Sequence, residues 1–366
     1  MSKILLKGNE AIAEGVIRAG CRYFFGYPIT PQNDIPEIMS RRLPEMGGDF
    51  VQSESEVAAV NMVLGAAAAG ARVMTSTSGP GIDLMTEGIG HLVAQQLPCL
   101  IVDVMRGGPG TGALHATQAD FVLSGRLRGD ARLITLAPWN VQEMLDFPAL
   151  AFELAERYRN PALLLTDAAL GNLYEPVQWE DVPPARPSEK AWALTGARGR
   201  QRNLSLGHFL EVEAYDRFHL HLREKYQRIM EKEQRYETCF LDPDTELVIV
   251  AYGIAARAAI KAVRALRREG LSVGLLRPVT LFPFPTTAVQ ELADRGVRFL
   301  AVEMSAGQMA DQVCLSAPGA VTYCRPGVAR ANPPRSAEIE SWAREILAGS
   351  QRGGAATVAS EKGRGS

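Results

Sequence analysis

The segment Pro98-Cys99-Leu100-Ile101-Val102-Asp103-Val104-Met105 is almost entirely apolar and is bounded by turn-forming residues. A run so short and continuous reads as a central strand of a parallel sheet, covered by helices on both faces. The surrounding text repeats the theme. Residues 23–27, 72–77, 133–136 and 162–166 are further predicted strands, while residues 9–17, 56–69 and 141–158 place apolar side chains at helical spacing. Such alternation defines a doubly wound α/β domain.

A second α/β unit is predicted from strands at 246–253, 271–276 and 298–303 and a helix at 255–269. Prolines and charges from about residue 175 to 205 read as a linker. Residues 207–236 read as a long charged helix with Phe218, Leu222 and Ile229 on its apolar face. The expected organisation of the 366 residues is a first domain over 1–180, a linker with a charged helix over 181–243, a smaller α/β domain over 244–348, and a disordered tail over 349–366.

The net charge is −2 and no long run carries one sign, so no footprint for nucleic acid is present. No apolar span reaches the roughly 18 residues of a membrane helix, and the N-terminal apolar run is too short for a signal peptide. A cytoplasmic location without membrane contact is therefore expected. The cysteines Cys21, Cys99, Cys239, Cys314 and Cys324 are scattered, without Cys-x-x-Cys. They read as small buried residues in a reducing compartment, not as ligands of an iron–sulfur cluster, so any electron transfer must involve another chain.

Three places carry candidate chemistry. Pro28-Ile29-Thr30-Pro31 follows a predicted strand and must turn out of it at the C-terminal end, where parallel sheets bind ligands. Thr30 there either meets a carboxylate or carbonyl, or caps the next helix. Glu56 opens a helix rich in alanine and glycine, between that loop and Thr77-Ser78-Gly79-Pro80-Gly81. An acid shielded from water there suits N1′ of the aminopyrimidine of thiamine diphosphate. A hydrogen bond to that nitrogen favours the imino tautomer that takes the thiazolium proton. The alternative is an ordinary helix-start acid, favoured by the macrodipole. Glu54 competes and is expected to be solvated.

Arg106 begins Arg106-Gly107-Gly108-Pro109-Gly110-Thr111-Gly112 at the end of the apolar strand. A guanidinium there can grip a small carboxylate through two parallel hydrogen bonds, and the glycines let a ligand approach the backbone. The loop is neither a phosphate-binding loop nor a dinucleotide fingerprint. His115, Gln118 and Asp120 follow, either lining the same cavity or as surface and helix-start residues. Gly253 and Glu303-Met304-Ser305-Ala306-Gly307-Gln308-Met309 sit at strand ends of the second unit, as an interface or a ligand site. A diphosphate–Mg²⁺ site would need Gly-Asp-Gly and a later Asn. Gly48-Asp49 and Gly129-Asp130 lack the second glycine and the partner. No metal site is expected, and only half of a cofactor site.

The chain resembles the alpha subunit of 2-oxoacid:ferredoxin oxidoreductases, of the branched-chain (3-methyl-2-oxobutanoate) and 2-oxoglutarate types. The resemblance runs through Lys7-Gly8-Asn9-Glu10-Ala11, Gly26-Tyr27-Pro28-Ile29-Thr30-Pro31-Gln32, Gln52-Ser53-Glu54-Ser55-Glu56, Arg106-Gly107-Gly108-Pro109-Gly110 and Tyr158-Arg159-Asn160-Pro161. It continues in Arg277-Pro278-Val279-Thr280-Leu281-Phe282-Pro283-Phe284-Pro285 and in Glu303-Met304 with Gly307-Gln308-Met309. It implies a thiamine diphosphate pyrimidine-binding domain followed by a smaller transketolase C-terminal-like domain. It also implies a beta subunit holding the diphosphate, Mg²⁺ and usually a [4Fe-4S] cluster, with gamma and ferredoxin-like delta subunits in some assemblies.

The implied reaction is oxidative decarboxylation of a 2-oxoacid with coenzyme A, with electrons passing to ferredoxin. Carried over by position, Glu56, Thr30 and Arg106 are the expected catalytic residues. Pro28, Ile29, Glu56, Ser78 and Gly79 would face the cofactor, and Thr30, Arg106 and Thr111 the substrate. The competing readings are a non-oxidative thiamine-dependent decarboxylase or synthase subunit, and a non-catalytic scaffold.

Overall fold

The computed structural model describes residues 2–179, 185, 189–324, 332–349 and 356–357. The first part runs β1 (Ser2–Lys7), α1 (Gly8–Arg18), β2 (Tyr23–Gly26), α2 (Asp34–Glu45), β3 (Asp49–Gln52), α3 (Glu56–Ala68), β4 (Val73–Thr77), α4 (Pro80–Ala94), β5 (Leu100–Gly107), β6 (Ala113–Ala116), β7 (Ile134–Leu136), α5 (Val141–Tyr158), β8 (Ala162–Asp167), α6 (Ala168–Gly171) and β9 (Tyr174–Trp179). The second runs α7 (Val212–Lys232), β10 (Tyr236–Cys239), β11 (Leu247–Val250), α8 (Gly253–Arg268), β12 (Val273–Pro278), β13 (Thr280–Phe282), α9 (Thr286–Asp294), β14 (Arg298–Ala301), α10 (Gln308–Ser316), β15 (Thr322–Cys324), α11 (Ser336–Leu347) and β16 (Ala356–Thr357).

The main sheet has the order β13-β7-β8-β5-β4-β2-β3, with β6 pairing off β5. Its strands from β7 to β3 are parallel. The apolar run at 98–105 is its centre, every residue from Leu100 to Arg106 being buried. Alternate side chains of β5 enter two different cores. Leu100, Val102 and Val104 meet α1, α2 and α5, while Ile101 and Met105 meet α3 and α4. The second sheet, β10-β12-β11-β14-β15-β16, is parallel from β12 to β15.

Three features differ from the sequence expectation. Tyr174–Trp179, where the linker was expected to begin, forms β9 and pairs antiparallel with β1, closing a separate two-stranded sheet. Tyr236–Cys239, placed in the linker, is the antiparallel edge of the second sheet. Thr280–Phe282 crosses back to pair with β7 of the main sheet. Each is a pairing distant in sequence, which local periodicity does not encode. The crossing-back merges the two bodies, because Phe121, Tyr252, Leu281, Phe282 and Phe284 lie in one continuous core. Arg277, fully buried, reinforces the join through Glu143, Glu237 and the Ala137 carbonyl while stacking over Trp139.

Most of the tail expected to be disordered lies outside the described residues. Of residues 349–366, Gly349 and the pair Ala356–Thr357 are described, and the pair adds to β15. Among the described residues no helix is long and apolar enough to cross a membrane.

Candidate active site

The C-terminal ends of β2, β4 and β5 converge on one place, and the chain builds it by anchoring each loop. The Thr30 loop is tied from below. Asn9, at the start of α1, donates to the Pro31 carbonyl at 2.9 Å and to Asp34 at 2.8 Å, and Lys7 pairs with Asp34. Gln32, fully buried, donates to the Tyr27 carbonyl and accepts from Ser76 of β4 at 2.6 Å. The loop is therefore a rigid shelf at the strand ends. Thr30 does not cap α2, whose N-cap is Asn33; its hydroxyl accepts from Asn33 at 3.2 Å. Pro28 is exposed, and Ile29 and Thr30 are half-buried on this shelf.

Glu56 is the first residue of α3, started by Ser55, whose hydroxyl accepts from Ala58 N–H. Glu56 is only 5% exposed and makes no hydrogen bond or ion pair among the described residues. Glu54 is exposed, as expected. The carboxyl of Glu56 lies against the first turn of α4: a Cβ at Gly81 would stand 2.5 Å from its Oε1. Glycine at 81 is what admits the acid. Gly79, the N-cap of α4, has φ +48 and would place a Cβ 3.2 Å from Cγ of Arg106, so the turn also needs glycine there. The neighbouring hydroxyls Thr77 Oγ1 and Ser78 Oγ are buried and without a hydrogen-bond partner.

Arg106 is 6% exposed. Its guanidinium donates to the Thr30 carbonyl at 2.8 Å and to the Thr111 carbonyl at 3.2 Å, while Nε is buried and unpartnered. The sequence predicts a guanidinium facing a carboxylate; in the protein it first ties the Thr30 loop to its own glycine loop. It forms no ion pair among the described residues, so its charge is left for a ligand. Thr111 itself is exposed. The structure thus brings Thr30, Glu56, Ser78, Gly79 and Arg106 to the same strand ends.

His115, Gln118 and Asp120 do not line this site together. His115 is exposed on β6. Gln118 is fully buried and joins the second unit: it donates to the Tyr252 carbonyl at 2.9 Å and accepts from Met304 N–H at 3.0 Å, while its backbone N–H donates to the Met304 carbonyl. Tyr252 OH returns a bond to the Gln118 carbonyl. The strand ends of the second unit are therefore an interface. Glu303 there is occupied by Met309 and Ala310 N–H groups at 2.9 Å and by Ser305. Asp120 faces Asp103, a buried acid in the apolar run that the sequence reading passed over. A single acid in a strand covered on both faces was the available signal.

A buried acid without a donor, two buried hydroxyls without partners and an uncompensated guanidinium fit a nitrogen heterocycle and an anionic substrate, as the pyrimidine half of thiamine diphosphate requires. Among the described residues no group of three or more His, Cys, Asp or Glu side chains is placed to hold a metal ion.

Comparison with known proteins agrees. Residues 14–238 match the thiamine-diphosphate-binding domain of pyruvate flavodoxin/ferredoxin oxidoreductase, and residues 245–326 match core domain II of pyruvate:ferredoxin oxidoreductase. The chain is 50% identical over 315 residues to the ketoisovalerate oxidoreductase subunit VorB of Methanothermobacter thermautotrophicus, covering 86% of this chain and 89% of that one. It is 35% identical over 340 residues to the 2-oxoglutarate synthase subunit KorA of Methanocaldococcus jannaschii, covering 85% and 92%. Among solved structures it is similar to a 2-oxoglutarate:ferredoxin oxidoreductase of Magnetococcus marinus with 2-oxoglutarate, coenzyme A and succinyl-CoA bound. That match has a TM-score of 0.83 and 25% identity over 94% of this chain, but spans only 65% of the other. A split-gene transketolase shares the fold alone, with a TM-score of 0.59 at 13% identity over 94% of this chain and 98% of that one. The chain belongs to the 2-oxoacid:ferredoxin oxidoreductase family, as a subunit that carries its thiamine-diphosphate-binding domain.

Proposed function

We propose that this chain is the alpha-type subunit of an enzyme converting a 2-oxoacid and coenzyme A into an acyl-CoA, CO₂, a proton and two electrons, the electrons leaving to ferredoxin. The observation that carries the reading is Glu56, 5% exposed and with no side-chain hydrogen bond or ion pair among the described residues, at the same strand ends as the uncompensated Arg106. When bound, thiamine diphosphate would supply a nucleophilic carbon for the substrate carbonyl. Glu56 holds the proton at N1′, with Ser78, Gly79, Pro28 and Ile29 around the ring. Arg106, fixed by the Thr30 and Thr111 carbonyls, orients the substrate carboxylate with its remaining N–H groups, and the Thr30 hydroxyl meets the substrate carbonyl. That carboxylate leaves as CO₂, so a moderate grip serves catalysis better than a tight one.

A branched-chain 2-oxoacid is the preferred substrate in this reading. The ketoisovalerate subunit is 50% identical and the 2-oxoglutarate subunit 35%. The arginine loop from Arg106 to Thr117 also holds no second arginine or lysine for a distal carboxylate. A beta subunit would hold the diphosphate, Mg²⁺ and a [4Fe-4S] cluster, and gamma and delta subunits would complete some assemblies. In this reading the chain divides into a pyrimidine-binding domain over 1–180, a linker with a charged helix over 181–243 and a smaller domain over 244–348, with β10 of the linker pairing into the second sheet.

The test is methyl viologen reduction by this chain co-purified with its beta-type partner, using coenzyme A, thiamine diphosphate and a panel of 2-oxoacids. Turnover by the complex alone, fastest with 3-methyl-2-oxobutanoate, is expected. Equal activity of the isolated chain refutes the half-site, and preference for 2-oxoglutarate refutes the substrate.

A further inference from the structure

Asp103 is an acid in the middle of the central strand β5, flanked on both sides by apolar residues, and it is completely buried. It projects with Ile101 and Met105 toward α4, beneath the turn that carries Gly79 and Gly81. Neither of its oxygens has a well-formed hydrogen bond from an N–H or hydroxyl. What faces them is the carboxyl of Asp120 and the backbone N–H of Gly79. Two buried carboxyl groups that face each other, with both oxygens of one and an oxygen of the other left without partners, are not both ionised; one carries a proton toward the other.

The segment that holds Asp120 is clamped by the second unit. Gln118 is bound on both its backbone and its side chain by Tyr252 and Met304, Gln308 donates to the Ala119 carbonyl at 2.5 Å, and Val122 N–H donates back to Gln308 at 2.9 Å. On the other side of the pair, the Gly79 turn touches Arg106, and Gly81 touches Glu56.

We propose that Asp103 and Asp120 share one proton and act together as positioning residues for the Gly79-Pro80-Gly81 turn, so that seating of the second unit on residues 118–122 sets the placement of Glu56 and Arg106. This rests on the catalytic reading of Glu56 and Arg106 given above. In the simplest arrangement Asp103 is the neutral acid: its O–H donates to the Asp120 carboxylate and its carbonyl oxygen faces Gly79 N–H. Burial, with Asp120 beside it, holds Asp103 well above the usual carboxylate range, and burial raises Asp120 to about 6. Asp83 of α4 adds negative charge toward both, and Tyr252 of the second unit lies within the field of both carboxyls.

A carboxylic acid that donates once and accepts once is mimicked by an amide. In the complex with its beta-type partner, Asp103→Asn should keep kcat within about twofold, while Asp103→Val, with neither group, should lower kcat about tenfold or more by misplacing the site. The KM for coenzyme A should be unchanged in both. Asp120→Leu, at a half-buried position outside the strand core, should reproduce the kcat loss and decides the question if Asp103→Val does not assemble. Asp103→Asn as damaging as Asp103→Val, or Asp120→Leu as active as the unmodified complex, overturns the proposal. Glu56→Gln runs alongside: if it turns over normally the catalytic reading itself fails. If it is inactive while the aspartate variants are normal, only the pair's role fails.

Discussion

The main sheet and the second sheet both end in helix-starting turns at the C-terminal ends of parallel strands, where such folds place ligands, and they treat those ends in opposite ways. In the second unit the polar groups at the strand ends are engaged: Tyr252 and Met304 hold Gln118, and Glu303 caps the first turn of α10. In the main sheet, among the described residues, Glu56 makes no side-chain hydrogen bond or ion pair, the buried hydroxyls of Thr77 and Ser78 are unsatisfied, and Arg106 has a free Nε. A buried polar group without a partner costs free energy, so a cluster of them marks a place built for something not yet bound, and a saturated cluster marks an interface. The same architecture serves recognition in one half and assembly in the other.

That contrast is breakable by substitution. Glu56→Gln has the largest expected effect, lowering kcat of the complex about 100-fold or more, because an amide cannot serve as the acid at N1′. The melting temperature should stay put, since Glu56 has no bond to lose; a large drop would make Glu56 structural. Arg106→Lys comes next. A lysine is a point charge that cannot bridge the Thr30 and Thr111 carbonyls and still orient a carboxylate, so kcat/KM for the 2-oxoacid should fall about 10- to 100-fold. An unchanged kcat/KM would move the substrate elsewhere.

On the saturated side the effect should be on stability. Gln118→Ala leaves the Met304 N–H buried without a partner and takes one of two donors from the Tyr252 carbonyl, which keeps Ala256 N–H. It should cost about 1–3 kcal/mol in denaturant unfolding and expose the Met304 amide to hydrogen exchange. Unaltered exchange would show that Gln118 is no seal.

The smallest effect is a pH slope. Burial raises Asp167, which caps α6 and faces Ile254 N–H across the junction, to about 6. A folded-state value above the unfolded one means that the folded protein binds the proton more readily. The cost of the buried charge is then fully present above about pH 6 and is relieved as pH falls toward 4. Asp167 should add on the order of 1–2 kcal/mol of stability over that window, and Asp167→Asn should lessen the slope, leaving the part due to Asp120, while keeping the cap. An identical slope in the variant would remove Asp167 from the account.

Much of this was legible along the chain because it depends on near neighbours. Helix 141–158 was predicted with the limits of α5, which Asn140 caps in the structure. Glu56 was legible as an acid out of place in a small-residue helix, and the prolines around Thr30 announced the turn. The strand at 280–282 was not, because its partner β7 lies far back in the sequence. Gln118 was read as a candidate for the cavity around Arg106, whereas its partners are Tyr252 and Met304. Asp103 escaped notice because nothing local distinguishes a buried acid awaiting a partner from a polar interruption.

The sequence by itself determined the class of fold, the main alternation of strands and helices, and the residue types at the ends of those strands, because periodicity and turn chemistry act over a few residues. Only the tertiary structure decided which strand ends stayed open and which were filled, and that Asp120 would meet Asp103. Those outcomes depend on which buried polar groups find partners across the folded chain, and hydrogen-bond saturation is a property of three-dimensional packing.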